Sequence, residues 1–233
     1  MHLEHLKVIA FDADDTLWVN EPLFRDAEAQ FCELMQDFIN TEACNQVLFK
    51  YEMQNLPLYG YGIKPFVLSL IEAGMAITKG ELPPKIVTAL INVGKQMLNA
   101  PVELLDGIEE TLAGLTGRYK LVVATKGDLL DQQRKLIKSG LEPYFHHIEI
   151  VSDKTPKEYQ KLIHHLDIKN NQFLMVGNSL KSDVLPVLEL GASAVHIPFH
   201  TTWEHEMVHE PVRHKNFVEL NQAKALLELF RDV

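Results

Sequence analysis

Cysteine is scarce: the 233-residue chain holds two, Cys32 and Cys44. Both sit in helix-like sequence without metal-site spacing, which argues against a disulfide framework and for reduced core residues. Positive charge is also short, with 22 Lys and Arg against 32 Asp and Glu and a formal net charge of -10. Without a basic stripe to release counterions, nucleic acid is not expected as the main partner. No apolar run approaches the roughly 20 residues that cross a bilayer, so no membrane association is expected either. The opening Met1-His2-Leu3-Glu4-His5-Leu6-Lys7 lacks a basic stretch followed by a long apolar core. No signal peptide is expected from it, and a cytoplasmic location is the default. Low-complexity tracts, internal repeats and long linkers are absent, and nothing signals an oligomeric state.

What is present is apolar bulk: 46% of the residues are hydrophobic, enough for one large domain or a domain with an insertion. Short apolar runs at Val8 to Phe11, Leu121 to Ala124, Phe173 to Val176 and Ala194 to Ile197 read as buried strands, with His147 to Val151 a weaker fifth. Helix-like stretches separate them from Gly107 onward: Gly107 to Leu115, Asp128 to Lys138, Pro156 to Leu166 and Leu180 to Glu189. That alternation predicts βαβ units on a parallel sheet, a doubly wound α/β fold. From Asn20 to about Asn99 the rhythm breaks into amphipathic stretches such as Phe24 to Phe38, Phe66 to Ala76 and Pro84 to Leu98. A helical insertion over 19–104 is therefore expected, set into a core of 1–18 and 105–233.

Ligands of a parallel α/β sheet collect at the carboxyl ends of its strands. The first strand runs into Asp12-Ala13-Asp14-Asp15-Thr16. In extended chain Asp12 and Asp14 leave on the same side and can serve one site. Unpaired charge there is costly, so a cation should sit at the strand tip. The pairing suits a nucleophile and a general acid/base around a divalent ion. Later strand ends carry Thr125-Lys126-Gly127-Asp128, Ser152-Asp153-Lys154-Thr155-Pro156, and Gly177-Asn178-Ser179 with Asp183.

On these residues the chain resembles the haloacid dehalogenase superfamily of phosphohydrolases. Asp12-x-Asp14-x-Thr16 is similar to its first motif, Thr125 to its second and Lys154 to its third. Gly177-Asn178-Ser179-x-x-x-Asp183 is similar to the fourth, where an acidic pair is usual and Asn178 departs from it. The resemblance implies a phosphatase acting on a small phosphorylated metabolite, with Asp12 as nucleophile and Asp14 as acid/base. It implies Mg²⁺ held by Asp12, the Asp14 carbonyl, Asp183 and, more weakly, Asn178. Thr125, Lys126, Gly127 and Lys154 would bind the phosphoryl group. The resemblance also implies that the helical insertion over 19–104 is a cap domain, and Lys64 in the loop Tyr59-Gly60-Tyr61-Gly62-Ile63-Lys64-Pro65 is a candidate contact from the cap. Dehalogenase members lack the second aspartate, because a halide needs no proton, so Asp14 favours phosphoryl transfer.

Alternatives stand beside this reading. A phosphomutase uses the same aspartyl-phosphate, and a phosphorylation-switch receiver clusters similar residues but is about half this length. Lys157 competes with Lys154, which is preferred because Lys157 falls in a first helical turn. Asp15 serves either the site or a helix cap. His205 and His209, four apart, lack an evident third metal ligand and read as surface histidines. Trp18 and Val19 are expected at the hinge into the cap, and Trp203 either at the site rim or on the core.

Overall fold

The computed structural model describes residues 3–231; Met1 and His2 of the amino-terminal stretch read above, like the last two residues, lie outside them. Six short strands form one sheet: β1 (Val8–Phe11), β2 (Lys120–Lys126), β3 (His147–Val151), β4 (Phe173–Gly177), β5 (Ser193–His196) and β6 (Phe217–Glu219). All pairs are parallel, in the order β3-β2-β1-β4-β5-β6. The helices are α1 (Glu21–Leu34), α2 (Thr41–Tyr59), α3 (Ile63–Ile77), α4 (Pro84–Asn99), α5 (Ile108–Leu115), α6 (Leu129–Ser139), α7 (Pro156–His165), α8 (Leu185–Glu189) and α9 (Ala225–Leu229). None among the described residues is long and apolar enough to cross a membrane.

Both faces of the sheet are covered, which is why β1 is apolar at every position and wholly buried. Its side chains alternate between two cores. Ile9 and Phe11 pack with Leu112 of α5, Leu136 of α6 and Leu226 of α9; Val8 and Ala10 pack with Tyr159 and Leu162 of α7 and Val187 of α8. The chain builds β1, β2 and β3 outward in one direction, then returns to the other side of β1 for β4. The gap between β1 and β4 is thus the topological switch point, the place where such sheets take ligands.

The described residues fall into two compact units. One comprises the chain up to Glu21, Val102–Lys126 and everything from Gln132 onward; the other comprises Pro22–Pro101 with Gly127–Asp131. The second is helical, built on α1 to α4 around Phe31, Leu48, Leu70 and Leu90. Its helices approach closely where side chains vanish: a Cβ at Gly94 of α4 would lie 2.4 Å from Val67 Cγ2 of α3. Residues flanking the insertion stay with the sheet, Val19 N–H donating to Glu103 O (2.9 Å) and Leu105 N–H to Leu17 O (3.0 Å).

Three elements depart from the sequence reading. The helix expected over Leu180 to Glu189 opens as a π turn at Leu180–Val184 before α8 begins, with Pro186 in its first turn. β6 is a three-residue, partly exposed edge strand, too short and too mixed to announce itself. Helix α2 has little amphipathic signal because only Cys44, Leu48 and Asn55 of its 19 residues are buried.

Candidate active site

Asp12 is the first residue past β1, and its amide donates to Val176 O of β4 (2.9 Å), which fixes it over the switch point. Lys154, three residues beyond β3, is buried and donates Nζ to Asp12 Oδ1 and to Asp183 Oδ1, the latter at 2.6 Å. Lys157, by contrast, lies exposed on α7. Burial is the strongest influence on Asp12 and pushes its carboxyl up to about 7 against the pull of Lys154, with Asp183 adding to the rise. Burial works to lower the Lys154 ammonium, but the two carboxylates outweigh it and hold it above its ordinary value.

Asp183 owes its place to the π turn. Its Oδ2 accepts the Ser179 amide (3.0 Å), and Tyr159 donates its hydroxyl to Ser182 O (3.0 Å). Gly177 is obligatory beneath it: a Cβ there would fall 2.1 Å from Asp183 Oδ2. Asn178 meets Thr16 twice, its amide N–H donating to Thr16 Oγ1 (3.1 Å) while its side-chain amide lies 3.2 Å from that hydroxyl. With its nitrogen turned inward, the same amide also donates to Asp12 Oδ2 and the Asp14 carbonyl, both at 3.3 Å. His196, at the end of β5, sets a ring nitrogen 2.9 Å from Asn178 O.

Asp14 faces three donors that the sequence did not announce. Trp18 Nε1 (2.7 Å) and Lys135 Nζ (2.6 Å) reach Oδ1, and Gln132 Nε2 reaches Oδ2 (2.8 Å). Asp15 serves as a cap, accepting the Asn20 amide (2.8 Å) and the Glu21 amide (3.0 Å) at the start of α1. It takes the left-handed backbone region, φ 61°, and burial pushes its carboxyl up to about 7 against those amides.

Thr125, buried at the end of β2, has a lightly used hydroxyl, 3.4 Å from Lys126 O. Lys126 Nζ turns to Glu206 Oε1 (2.5 Å) and Ser182 Oγ (2.9 Å). Glu206 was not anticipated. Burial tends to raise its carboxyl, but Lys126, Ser179 and Ser182 hold it down to about 2. Gly127 and Lys64 fall in the helical unit, where Lys64 Nζ donates to both Asp128 oxygens at 2.9 Å. His205 lies beside Lys181 Nζ (3.1 Å) and against Trp203, their rings 4.9 Å apart.

Among the described residues, no group of three or more His, Cys, Asp or Glu side chains is arranged to hold a metal. The oxygens assembled at the switch point are instead two carboxylates, Asp12 and Asp183, and the Asp14 carbonyl, with the Asn178 amide nitrogen donating to Asp12 and to that carbonyl. Both carboxylates face one ammonium, so with both ionised a second positive charge is wanted there. That set fits Mg²⁺, which takes one or two carboxylates and completes its shell with water and phosphate oxygens.

A family model, haloacid dehalogenase-like hydrolase, matches residues 6–191. Among curated proteins, a glyceraldehyde 3-phosphate phosphatase from Methanopyrus kandleri is 25% identical over 200 residues, 82% of this chain and 84% of that one. One of the same name from Methanocaldococcus jannaschii is 28% identical over 205 residues, 82% and 85% of the two chains. The crystal structure of a haloacid dehalogenase-like family hydrolase from Xanthomonas campestris superposes with a TM-score of 0.87, is 32% identical, and covers 98% of this chain and 91% of its own.

Proposed function

The chain belongs to the haloacid dehalogenase-like hydrolases, as a phosphoric monoester hydrolase, and we propose that it works with Mg²⁺ through an aspartyl-phosphate on Asp12. The observation that carries this reading is the buried Asp12 carboxylate, held by Lys154 at the switch point, with a second carboxylate two residues along at Asp14.

An Asp12 oxygen attacks phosphorus and the ester P–O bond breaks, splitting one hard displacement into two easier ones. Asp14 delivers a proton to the departing alkoxide, then takes one from the water that attacks the aspartyl-phosphate. Phosphate leaves and the Asp12 carboxylate returns. Lys154 offsets charge on the nucleophile and on the transferring group, and the Thr125 hydroxyl takes a phosphoryl oxygen. Asp12, the Asp14 carbonyl and Asp183 would hold Mg²⁺, which would supply the charge that lets an anionic phosphate approach an anionic nucleophile. Asn178, an uncharged amide that donates to Asp12 and to the Asp14 carbonyl, would leave Asp12 and Asp183 to neutralise the metal's charge.

The substrate is a small phosphomonoester. Glyceraldehyde 3-phosphate, which names the relatives' activity, heads the compounds to assay. The test is release of inorganic phosphate across a panel of phosphorylated metabolites, with and without Mg²⁺. Asp12→Asn should abolish release, and chelation should abolish it reversibly. Normal turnover by Asp12→Asn would sink the covalent mechanism, and an isomerised sugar phosphate in place of free phosphate would replace hydrolysis by a mutase reaction.

A further inference from the structure

Glu206 lies in the segment between β5 and β6, in a single 3₁₀ turn at Glu204–Glu206, and belongs to none of the four strand-end motifs. Its carboxylate nonetheless sits among three donors. Oε1 takes Lys126 Nζ at 2.5 Å, while Oε2 takes Ser179 Oγ at 2.5 Å and Ser182 Oγ at 2.6 Å. The Glu206 side chain is 11% exposed and that of Lys126 16%, so this is no solvated surface pair. Charge-assisted bonds in such a setting are short and strong.

The two serines stand at the start and in the middle of the π turn. Ser179 is the residue before it and caps it, its Oγ accepting the Ser182 amide (3.0 Å). Asp183 follows Ser182 directly, and its Oδ2 takes the Ser179 amide. A five-residue π turn is an unusual backbone form that persists where its surroundings hold it. One Glu206 oxygen grips the hydroxyls of both the turn's cap and its middle residue. Tyr159 grips the turn's Ser182 carbonyl.

We propose that Glu206 is a positioning residue of the metal site: by holding Ser179 and Ser182 together it fixes the turn that presents Asp183 to Mg²⁺. The inference rests on the metal reading given under the proposed function. Partners one bond removed from a metal ligand orient that ligand, and losing one weakens metal binding by about tenfold or more. Here that partner is the Ser179 amide on Asp183, and Glu206 stands one bond behind it on the Ser179 hydroxyl. A brace with no part in the metal site would instead lower stability and leave metal affinity alone.

Calorimetric titration of Mg²⁺, with melting temperatures alongside, separates the two. Glu206→Gln keeps the shape but removes the charge and leaves one acceptor oxygen where the carboxylate has two, so it can no longer accept from Lys126 and from the serine hydroxyls together. It should bind Mg²⁺ about tenfold more weakly, as should Ser179→Ala with Ser182→Ala. Combining all three should cost little more than the serine pair, because the groups act as one unit. Wild-type affinity in Glu206→Gln, with only the melting temperature lowered, would overturn the proposal. If that variant fails to fold, the serine pair decides, and unchanged affinity there overturns it equally. Asp183→Asn is the control. A wild type that binds no Mg²⁺ defeats the metal reading itself, whereas a binding wild type with an unaffected Glu206→Gln defeats this inference alone.

Discussion

At the scale of single residues, the site is a matter of where charge is buried and what faces it. Lys154 meets two carboxylates, and Gly177 exists so that one of them can be there. Gly177→Ala should therefore displace Asp183, lowering phosphate release at least tenfold and stability by about 1–3 kcal/mol, an overpacking cost. Activity assays with urea unfolding check both. The meeting of Asp12, Lys154 and Asp183 was legible in the sequence because strand ends advertise them in short, ordered motifs. Trp18, Gln132 and Lys135 around Asp14 were not: a Gln and a Lys on an amphipathic helix look like any solvated face until the fold brings them 2.6–2.8 Å from a carboxylate more than a hundred residues away. Lys126 was legible as polar but not in its partner, since Glu206 stands 80 residues on.

At the scale of elements, periodicity located β1 to β5 and most helices to within a few residues, and failed where local signal was weak. A π turn keeps a helix-like pattern, so Leu180 to Glu189 read as one helix. β6 has three residues and α2 few buried ones. The loop carrying Glu206 makes a pH prediction. Its carboxyl sits near 2 in the fold against 4.5 ordinarily, so the folded state binds its proton less readily. The stability it contributes, on the order of 3 kcal/mol, is fully present above pH 4.5 and is lost as pH falls toward 2. Urea unfolding at pH 5 and pH 3 should show the wild type's margin over Glu206→Gln shrinking at the lower pH.

At the scale of the whole molecule, a doubly wound sheet and an inserted helical unit each have their own apolar interior. Leu90, wholly buried among α1 to α4, tests the second by itself: Leu90→Ala should cost about 2–5 kcal/mol, read from melting followed by far-ultraviolet circular dichroism. The alternation of strand and helix after Gly107 made the class legible. The strand order was not, because no local pattern says that β4 returns to the far side of β1. The chain's two tryptophans both lie in the sheet unit, Trp18 with its indole nitrogen on Asp14 and Trp203 with its ring tilted against His205 near Glu206. Its native emission spectrum is thus a built-in optical probe of this end of the sheet, and Trp203→Phe would leave a single fluorophore hydrogen-bonded to the Asp14 carboxylate, its brightness following that group's changes of partner.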